Sequence, residues 1–440
     1  MNYYKRNIDA LLLKWKTDTD RRPLLIRGAR QVGKSSTIVH LGTHFEYFVK
    51  VDFEKNRNLH ELFDGNLDVK DIALKLSVQF NKPVIPGKTL LFFDEIQCCL
   101  NAIKSLRYFY EDYPELHVIA AGSLLEFALE ELPTFGVGRI DSLFMYPFSF
   151  AEFMLACGEE LLWEEVCKST PEKPIFSAFH EKCLGYLKKF LLIGGMPAVV
   201  AHFVENKDIL KVQKILDRLI VSYQDDFAKY RRRLPAILLH EVFSSVAKQA
   251  GRKFIYSKAA ETSLYNIKQA VNVLIMAGLI IPVVNSAANG VPLGAEVNHK
   301  KCKMLLLDTG IFQRLMNLHL SDILITNDFE VVNKGAIAEQ FVGLELIKNA
   351  FSWQKYLYFW TREKEKSQAE VDYIIQSNEK IIPIEVKSGV QGKMQSMYSF
   401  LNEKKAKLGI RISLENFSKY DKIRVYPLYA TGNILNTEII

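Results

Sequence analysis

Residues 23–40 constrain this chain more than any other stretch. They run Pro-Leu-Leu-Ile-Arg, then Gly28-Ala29-Arg30-Gln31-Val32-Gly33-Lys34-Ser35, then Ser36-Thr-Ile-Val-His40. A short apolar strand, a glycine-bracketed loop and a helix-compatible segment follow in the order a phosphate-binding loop needs. Gly28 and Gly33 permit backbone conformations and close approaches that a Cβ would obstruct. The loop N–H groups and the next helix N-terminus then offer partial positive charge to a polyphosphate. Residues 28 to 36 are therefore the expected nucleotide-binding segment. Lys34 is expected on the β- and γ-phosphates of ATP, and the Ser35 hydroxyl on Mg²⁺. A surface turn matching the pattern by chance would not be framed by a strand and a helix.

A second apolar run, Thr89-Leu-Leu-Phe-Phe-Asp94-Glu95, does not alternate. That is the pattern of a strand in the middle of a parallel sheet covered on both faces. It ends in two carboxylates, where ligand crevices of open α/β sheets lie. Asp94 is expected to hold Mg²⁺ through water. Glu95 is expected to take the proton of the attacking water, because phosphoryl transfer rests on positioning and charge. Asp-Glu at a strand end is common; one interposed strand after a phosphate loop, it gains meaning.

The length of 440 residues allows two to four domains. Lysine and arginine number 57 against 50 aspartates and glutamates, a modest excess compatible with an anionic partner. Six cysteines (Cys98, Cys99, Cys157, Cys167, Cys183, Cys302) form no C-x-x-C pair and no zinc spacing, so reduced thiols in the cytoplasm are expected. The segment Ile8-Asp-Ala-Leu-Leu-Leu-Lys-Trp-Lys16 looks like an amphipathic helix rather than a secretory leader. No apolar run reaches membrane-spanning length, so no membrane partner is expected.

A third strand at His117-Val-Ile-Ala-Ala121 ends in Gly122-Ser123. Ser123 there either senses the γ-phosphate and orients water or simply caps the next helix. Arg139, in Gly136-Val-Gly-Arg139, is either an arginine finger or a structural ion-pair partner, with a structural or sensor role preferred. By this point the chain resembles the bacterial and archaeal predicted ATPases of the AAA+ superfamily whose C-terminal half carries a separate family-specific domain. The resemblance rests on Gly28–Ser35, Leu91-Phe-Phe-Asp-Glu-Ile-Gln97, Ala121-Gly-Ser123 and Gly138-Arg139. It continues through Tyr146-Pro-Phe-Ser-Phe-Ala-Glu-Phe153 and Gly194-Gly-Met-Pro197. It implies an AAA+ core with a parallel five-stranded sheet and an ATPase cycle that drives or gates something else. Leu124 departs from it, standing where relatives often carry a second serine.

The expected organisation is an α/β P-loop ATPase core over residues 1–150, a helical lid or connector over 151–235, a winged helix over 236–325 and a C-terminal α/β domain over 326–440. Lys229-Tyr-Arg231-Arg232-Arg233 is either a solvated helix end or a nucleic-acid contact. In the third helix of the winged-helix segment, Ile267, Val271, Leu274 and Ile275 share one face, leaving Tyr265, Lys268 and Gln269 on the other. Strands at residues 278–284 and 300–307 are expected to pair as a basic wing. The helix then faces either a DNA major groove or another protein surface.

Near the end, Glu370-Val-Asp372-Tyr-Ile-Ile375 and Ile381-Ile-Pro-Ile-Glu385-Val-Lys387 align as a hairpin. A two-residue turn at Asn378-Glu379 sets Asp372 opposite Glu385 and Glu370 opposite Lys387. All four then project to one side, with Val371, Tyr373, Ile375, Ile382, Ile384 and Val386 on the other. The apolar side is the expected core and the charged side a site. Two converging carboxylates suit Mg²⁺, and a neighbouring lysine suits a phosphodiester. The arrangement resembles the PD-(D/E)XK nuclease superfamily, with a restriction-endonuclease-like fold. That resemblance puts Asp372, Glu385 and Lys387 at its motif positions and Glu339 at its extra acidic position on the first helix. A surface salt-bridge cluster is the plain alternative.

Two functions follow as expectations. One is an ATP-hydrolysing AAA+ protein acting on DNA, with a metal-dependent nuclease site in its last domain. The other is an ATP-controlled switch whose distal domains bind protein or DNA without cutting. Assembly into an oligomer fits either.

Overall fold

The computed structural model describes residues 3–132, 138–230, 234–317, 334–350, 357–362, 369–389 and 394–436. The chain divides into two units, Met1–Tyr146 with Met276–Gly278, and Pro147–Ile275 with Leu279–Ile440.

The first unit is built on five strands: β1 (Leu24–Arg27), β2 (Tyr47–Asp52), β3 (Thr89–Asp94), β4 (His117–Ala121) and β5 (Asp141–Phe144). They pair in the order β2-β3-β4-β1-β5, every pair parallel. Five helices pack with them: α1 (Asn7–Thr17), α2 (Lys34–Gly42), α3 (Val69–Phe80), α4 (Leu100–Asp112) and α5 (Leu125–Glu130). β3 is buried at all six positions, as its unalternated run requires of an inner strand. Phe53, Phe63, Phe93 and Phe109 meet edge-on or tilted, with centroids 5.3–5.9 Å apart, to fill the space between sheet and helices. Truncating a ring such as Phe93 to alanine would cost about 3–5 kcal/mol. Asp68 starts α3 by accepting from the N–H groups of Lys70 and Asp71. Because every strand runs the same way, Arg27, Asp52, Asp94, Ala121 and Phe144 end at one edge of the sheet. That edge is where the phosphate loop leaves β1.

The second unit opens with helices at Phe150–Ala156, Glu160–Lys168, Ser177–Ile193, Pro197–Asn206, Ile209–Asp226, Ala236–Lys248 and Leu264–Met276. Phe150, Phe153, Phe190 and Phe341 pack ring against ring among them. The turn at Gly194-Gly195 is held by the buried Asp308, whose carboxylate accepts from Gly195 N at 2.6 Å and Ile311 N at 3.1 Å. Gly194 has φ +75°, and a Cβ there would lie 2.1 Å from Asp308 Oδ1.

Eight strands make the second sheet: β6 (Ile280–Ser286), β7 (Val297–Leu306), β8 (Leu357–Thr361), β9 (Glu370–Ser377), β10 (Lys380–Val386), β11 (Gly409–Ser413), β12 (Ser418–Tyr420) and β13 (Ile423–Pro427). Their order is β12-β13-β11-β10-β9-β8-β6-β7. The two strands expected as the pair of a basic wing do pair antiparallel, and β6 also pairs parallel with β8. Ile280, Ile281, Val283 and Val284 are all buried, and a strand apolar on both faces needs a neighbour on each edge and cover above and below. Arg231, Arg232 and Arg233 lie outside the described residues.

The β9–β10 hairpin has the register of a two-residue turn, with Lys380 opposite Ser377 and Ile384 opposite Tyr373. Its charged side is not an open face. Ile374 and Pro383, which share that side with Asp372 and Glu385, are buried as well. The sheet is covered on both faces there, and the carboxylates sit at the edge of a second core.

Candidate functional site

In the first unit the chain leaves β1 at Gly28 with φ 135° and enters α2 from Gly33 with φ 100°. A Cβ on Gly28 would fall 2.2 Å from the Met145 carbonyl oxygen, so the loop can fold back over β5 only with glycine there. Arg6, just before α1, props the loop from beneath. Its guanidinium donates to the carbonyls of Val32 (3.1 Å) and Tyr146 (2.7 Å).

Lys34, the first residue of α2, is 7% exposed, and its ammonium donates to the carbonyls of Gly28 and Ala29 at 2.9 and 2.7 Å. Burial lowers its pKa to about 8, against the opposite pull of Glu95 and Asp94. Ser35 Oγ donates to Asp94 Oδ1 at 2.9 Å, which joins the start of α2 to the tip of β3. Ser36 points outward.

Glu95 follows Asp94 in the left-handed region, φ 49°. Two donors hold its Oε2: Gln97 Nε2 at 2.6 Å and Ser123 Oγ at 3.2 Å. Gly122 makes room for Gln97, because a Cβ there would lie 2.0 Å from Gln97 Oε1. Lys50, on β2, reaches Asp94 Oδ2 at 2.6 Å while its side chain stays a third exposed. Arg27 forms a two-pronged pair with Glu126 of α5 at 2.6 and 2.5 Å.

The structure thus brings Lys34, Ser35, Asp94, Glu95 and Ser123 to one strand-end crevice. Arg139 is not among them. It stands before β5, at the opposite end of the sheet, and pairs with Glu111 in the last turn of α4. Within one chain that ion pair is in keeping with the structural alternative for Arg139. Gln97, Lys50 and Arg6 are functional neighbours that motif reading missed. Lys50 did leave a trace, as a lone charge inside the strand Tyr-Phe-Val-Lys-Val-Asp.

In the second unit, Glu339 on the helix Lys334–Asn349, Glu370 and Asp372 on β9, and Glu385 on β10 do come together. They do so around Lys303 of β7, which sequence reading had left on the basic wing. Lys303 Nζ lies 2.8 Å from Glu339 Oε1, 2.6 Å from Glu370 Oε1 and 3.7 Å from Asp372 Oδ1, and its side chain is 2% exposed. It also sits over the Phe359 ring, 5.3 Å from the centroid.

Asp372 Oδ2 accepts from Val386 N at 2.8 Å, and Lys387 Nζ donates to Glu385 Oε1 at 2.7 Å. Glu385 Oε2 is buried without a partner. Burial pushes the Glu339 and Glu385 carboxyls up to about 7, and raises that of Asp372 as well. Burial alone would lower Lys303, but Glu339, Asp372 and Glu370 outweigh it and hold the ammonium above the usual lysine range. Among the described residues, no group of three or more His, Cys, Asp or Glu side chains is arranged to hold a metal ion. No helix among them is long and apolar enough to cross a membrane.

The parallel sheet, the phosphate loop and the acidic strand tip define a P-loop ATPase domain. Residues 20–154 match the family described as an AAA domain. The N-terminal domain is accordingly an AAA+-type ATPase domain, and the chain is an ATPase, converting ATP and water to ADP and phosphate. Residues 184–322 and 334–431 match two families described only as domains of unknown function, DUF8612 and DUF4143. The C-terminal half is therefore an α/β region with no activity attached to its families.

Among solved structures, a Walker-type ATPase of Pyrococcus abyssi is similar at 16% identity and a TM-score of 0.46, over 71% of this chain and 96% of that one. The Aeropyrum pernix ORC1 protein, solved in complex with DNA, is similar at 12% identity and a TM-score of 0.26, over 73% and 92%. Likenesses this distant carry no argument about how the chain works. No curated protein matches it.

Proposed function

We propose that the chain is an ATP-hydrolysing AAA+ protein that acts on DNA, its nucleotide cycle run by the crevice at the end of β1, β3 and β4. The observation that carries this reading is the continuous linkage from Ser35 through Asp94 to Glu95 and Ser123 beside the phosphate loop. Residues 28 to 36 wrap the triphosphate with backbone N–H groups, and Lys34 exchanges its two carbonyl partners for phosphate oxygens. The donor set of Ser35 and Asp94 fits Mg²⁺: a hydroxyl and a carboxylate, both oxygen, stand 2.9 Å apart in the crevice. When bound, that ion neutralises charge on the phosphate oxygens. Glu95 takes the proton of the attacking water, and Gln97 and Ser123 aim its carboxylate.

The DNA assignment draws support from the exposed side of the helix Leu264–Met276. Tyr265, Lys268 and Gln269 face outward there, with Lys258 exposed just before it. Lysines and an aromatic on one outward face suit a phosphate backbone. Six free cysteines accord with a cytoplasmic setting.

For the C-terminal cluster, the nuclease reading assigns Asp372, Glu385 and Glu339 to Mg²⁺ and Lys387 to the phosphodiester. The competing reading is an ATP-controlled switch that binds protein or DNA without cutting it. The position of Lys303 favours the second.

The test is ATP turnover and DNA affinity on the full chain. Lys34→Ala should abolish nucleotide binding, while Glu95→Gln should bind ATP and fail to turn it over. Duplex affinity should fall steeply with salt and fall further in Lys258→Glu/Lys268→Glu. An affinity independent of salt and of those lysines would remove DNA from the reading and leave a protein partner.

A further inference from the structure

We infer that the C-terminal carboxylate cluster already holds its cation, the Lys303 ammonium, and that this site takes no divalent metal. The inference rests on the non-cleaving switch reading above and gives it a physical cause.

Four carboxylates converge here, those of Glu339, Glu370, Asp372 and Glu385. A Mg²⁺ or Mn²⁺ ion bound among them would need oxygens at about 2.0–2.2 Å and room for several waters. The space between Glu339 and Glu370 is instead filled by Nζ of Lys303, at hydrogen-bond distance from both and 3.7 Å from Asp372. Two cations cannot share that volume in a low-dielectric interior.

Lys303 cannot simply swing aside. It sits inside β7 and is 2% exposed, flanked by buried Cys302 and Met304. Its ammonium lies over the Phe359 ring. Withdrawing the ammonium would strand buried carboxylates without a counter-charge, which is strongly destabilising.

Two of the neighbouring oxygens are also held. Asp372 Oδ2 accepts the Val386 N–H, and Glu385 Oε1 is held by Lys387. Among the described residues of this site, Glu385 Oε2 is the buried carboxylate oxygen without a partner, and a single carboxylate oxygen does not build a metal centre. Lys253 approaches the outer side of the cluster, 3.8 Å from Glu370 Oε2, adding further positive charge. Charge balance inside the site is thus met by Lys303 on β7, by Lys387 just after β10 and by Lys253 at the outer side. Lys303 is a structural residue in this account.

The experiment is Mn²⁺ titration of the nucleotide-free full chain, followed by calorimetry and by Mn²⁺ paramagnetic resonance. Nucleotide is left out so that metal brought in by ATP at Ser35 and Asp94 does not contribute. Wild type is expected to bind no Mn²⁺ at this site, and its thermal midpoint should be the same in EDTA and in millimolar Mn²⁺. Lys303→Met, close in volume and uncharged, should be less stable, should acquire Mn²⁺ affinity at least tenfold above wild type, and should recover thermal midpoint when Mn²⁺ is added. Adding Asp372→Asn to Lys303→Met should remove that gain, and Lys303→Arg should behave as wild type. One Mn²⁺ bound tightly by wild type, and lost in Asp372→Asn or Glu385→Gln, would overturn the inference. That outcome is readable even if Lys303→Met does not fold. ATP turnover and salt-dependent DNA affinity, measured on the same wild-type sample, report on the wider reading separately.

Discussion

The chain sets a lysine against an aspartate in both of its sheets, and the two pairs differ chiefly in how far water reaches them. At the tip of β3, Lys50 touches Asp94 at 2.6 Å but keeps a third of its side chain in solvent. In the second sheet, Lys303 is ringed by three carboxylates and almost wholly enclosed. A pair with its ammonium partly in water contributes about 0–1 kcal/mol, so Lys50 should give way if the proposed metal–nucleotide complex binds there. A buried ammonium among carboxylates has no such freedom, because its loss leaves uncompensated charge. Acidic residues at a strand end therefore do not define a metal site by themselves. The exchangeability of the cation beside them does.

The largest effect expected along this contrast is at the open tip. Glu95→Gln should lower kcat by about 10²–10⁴-fold with ATP affinity retained, as loss of a general base does. Single-turnover kinetics and a nucleotide-binding assay check it together, and unchanged turnover would put the two acidic clusters back on equal footing. Next comes stability. Lys303→Ala should cost about 3–5 kcal/mol in denaturant unfolding, whereas Lys50→Ala should cost no more than about 1 kcal/mol. Equal costs would erase the distinction.

The two units should also answer pH with opposite signs. Burial lowers His117 of β4 to about 4, so the neutral ring's contribution is full above pH 6.5 and is lost as pH falls through 4. Glu339 and Glu385 are raised to about 7 from 4.5, so their contribution is full below pH 4.5 and is lost as pH rises through 7. Thermal unfolding across pH 4–8 should show the acid-side loss flattened by His117→Gln and the loss towards neutrality flattened by Glu385→Gln. The smallest effect is expected from Gln97→Ala, which frees the Glu95 carboxylate to wander. A drop in kcat of about three- to tenfold with KM little changed would mark Gln97 as a positioning residue.

Much of the first unit was legible because its signals are local. The phosphate loop needs glycine where a Cβ would strike the Met145 carbonyl, and the inner strand needs an unbroken apolar run. Both can be read from a handful of consecutive residues. What escaped reading depended on residues brought from afar. Lys303 lies 36 residues before Glu339 in the chain, and nothing near it announces that its neighbours are Glu370 and Asp372.

The same local reading found the pairing of β6 and β7 but not their place in a larger sheet. An antiparallel pair looks alike whether it stands free as a wing or is stitched into a larger sheet. The doubly buried run in β6 was the clue, because a wing strand keeps one face in water. Arg139 shows the converse limit. Its spacing from the phosphate loop was compatible with several roles, and only sheet topology places it at the far edge beside Glu111.

Arg6 ties two distant carbonyls, at Val32 and Tyr146, to a point upstream of the first helix. Arg6 and the residues beside it consequently act as a strut for the ATP cradle. Trimming them would slacken the cradle while leaving the sheet folded, and a shortened protein would register the damage first as weakened grip on nucleotide.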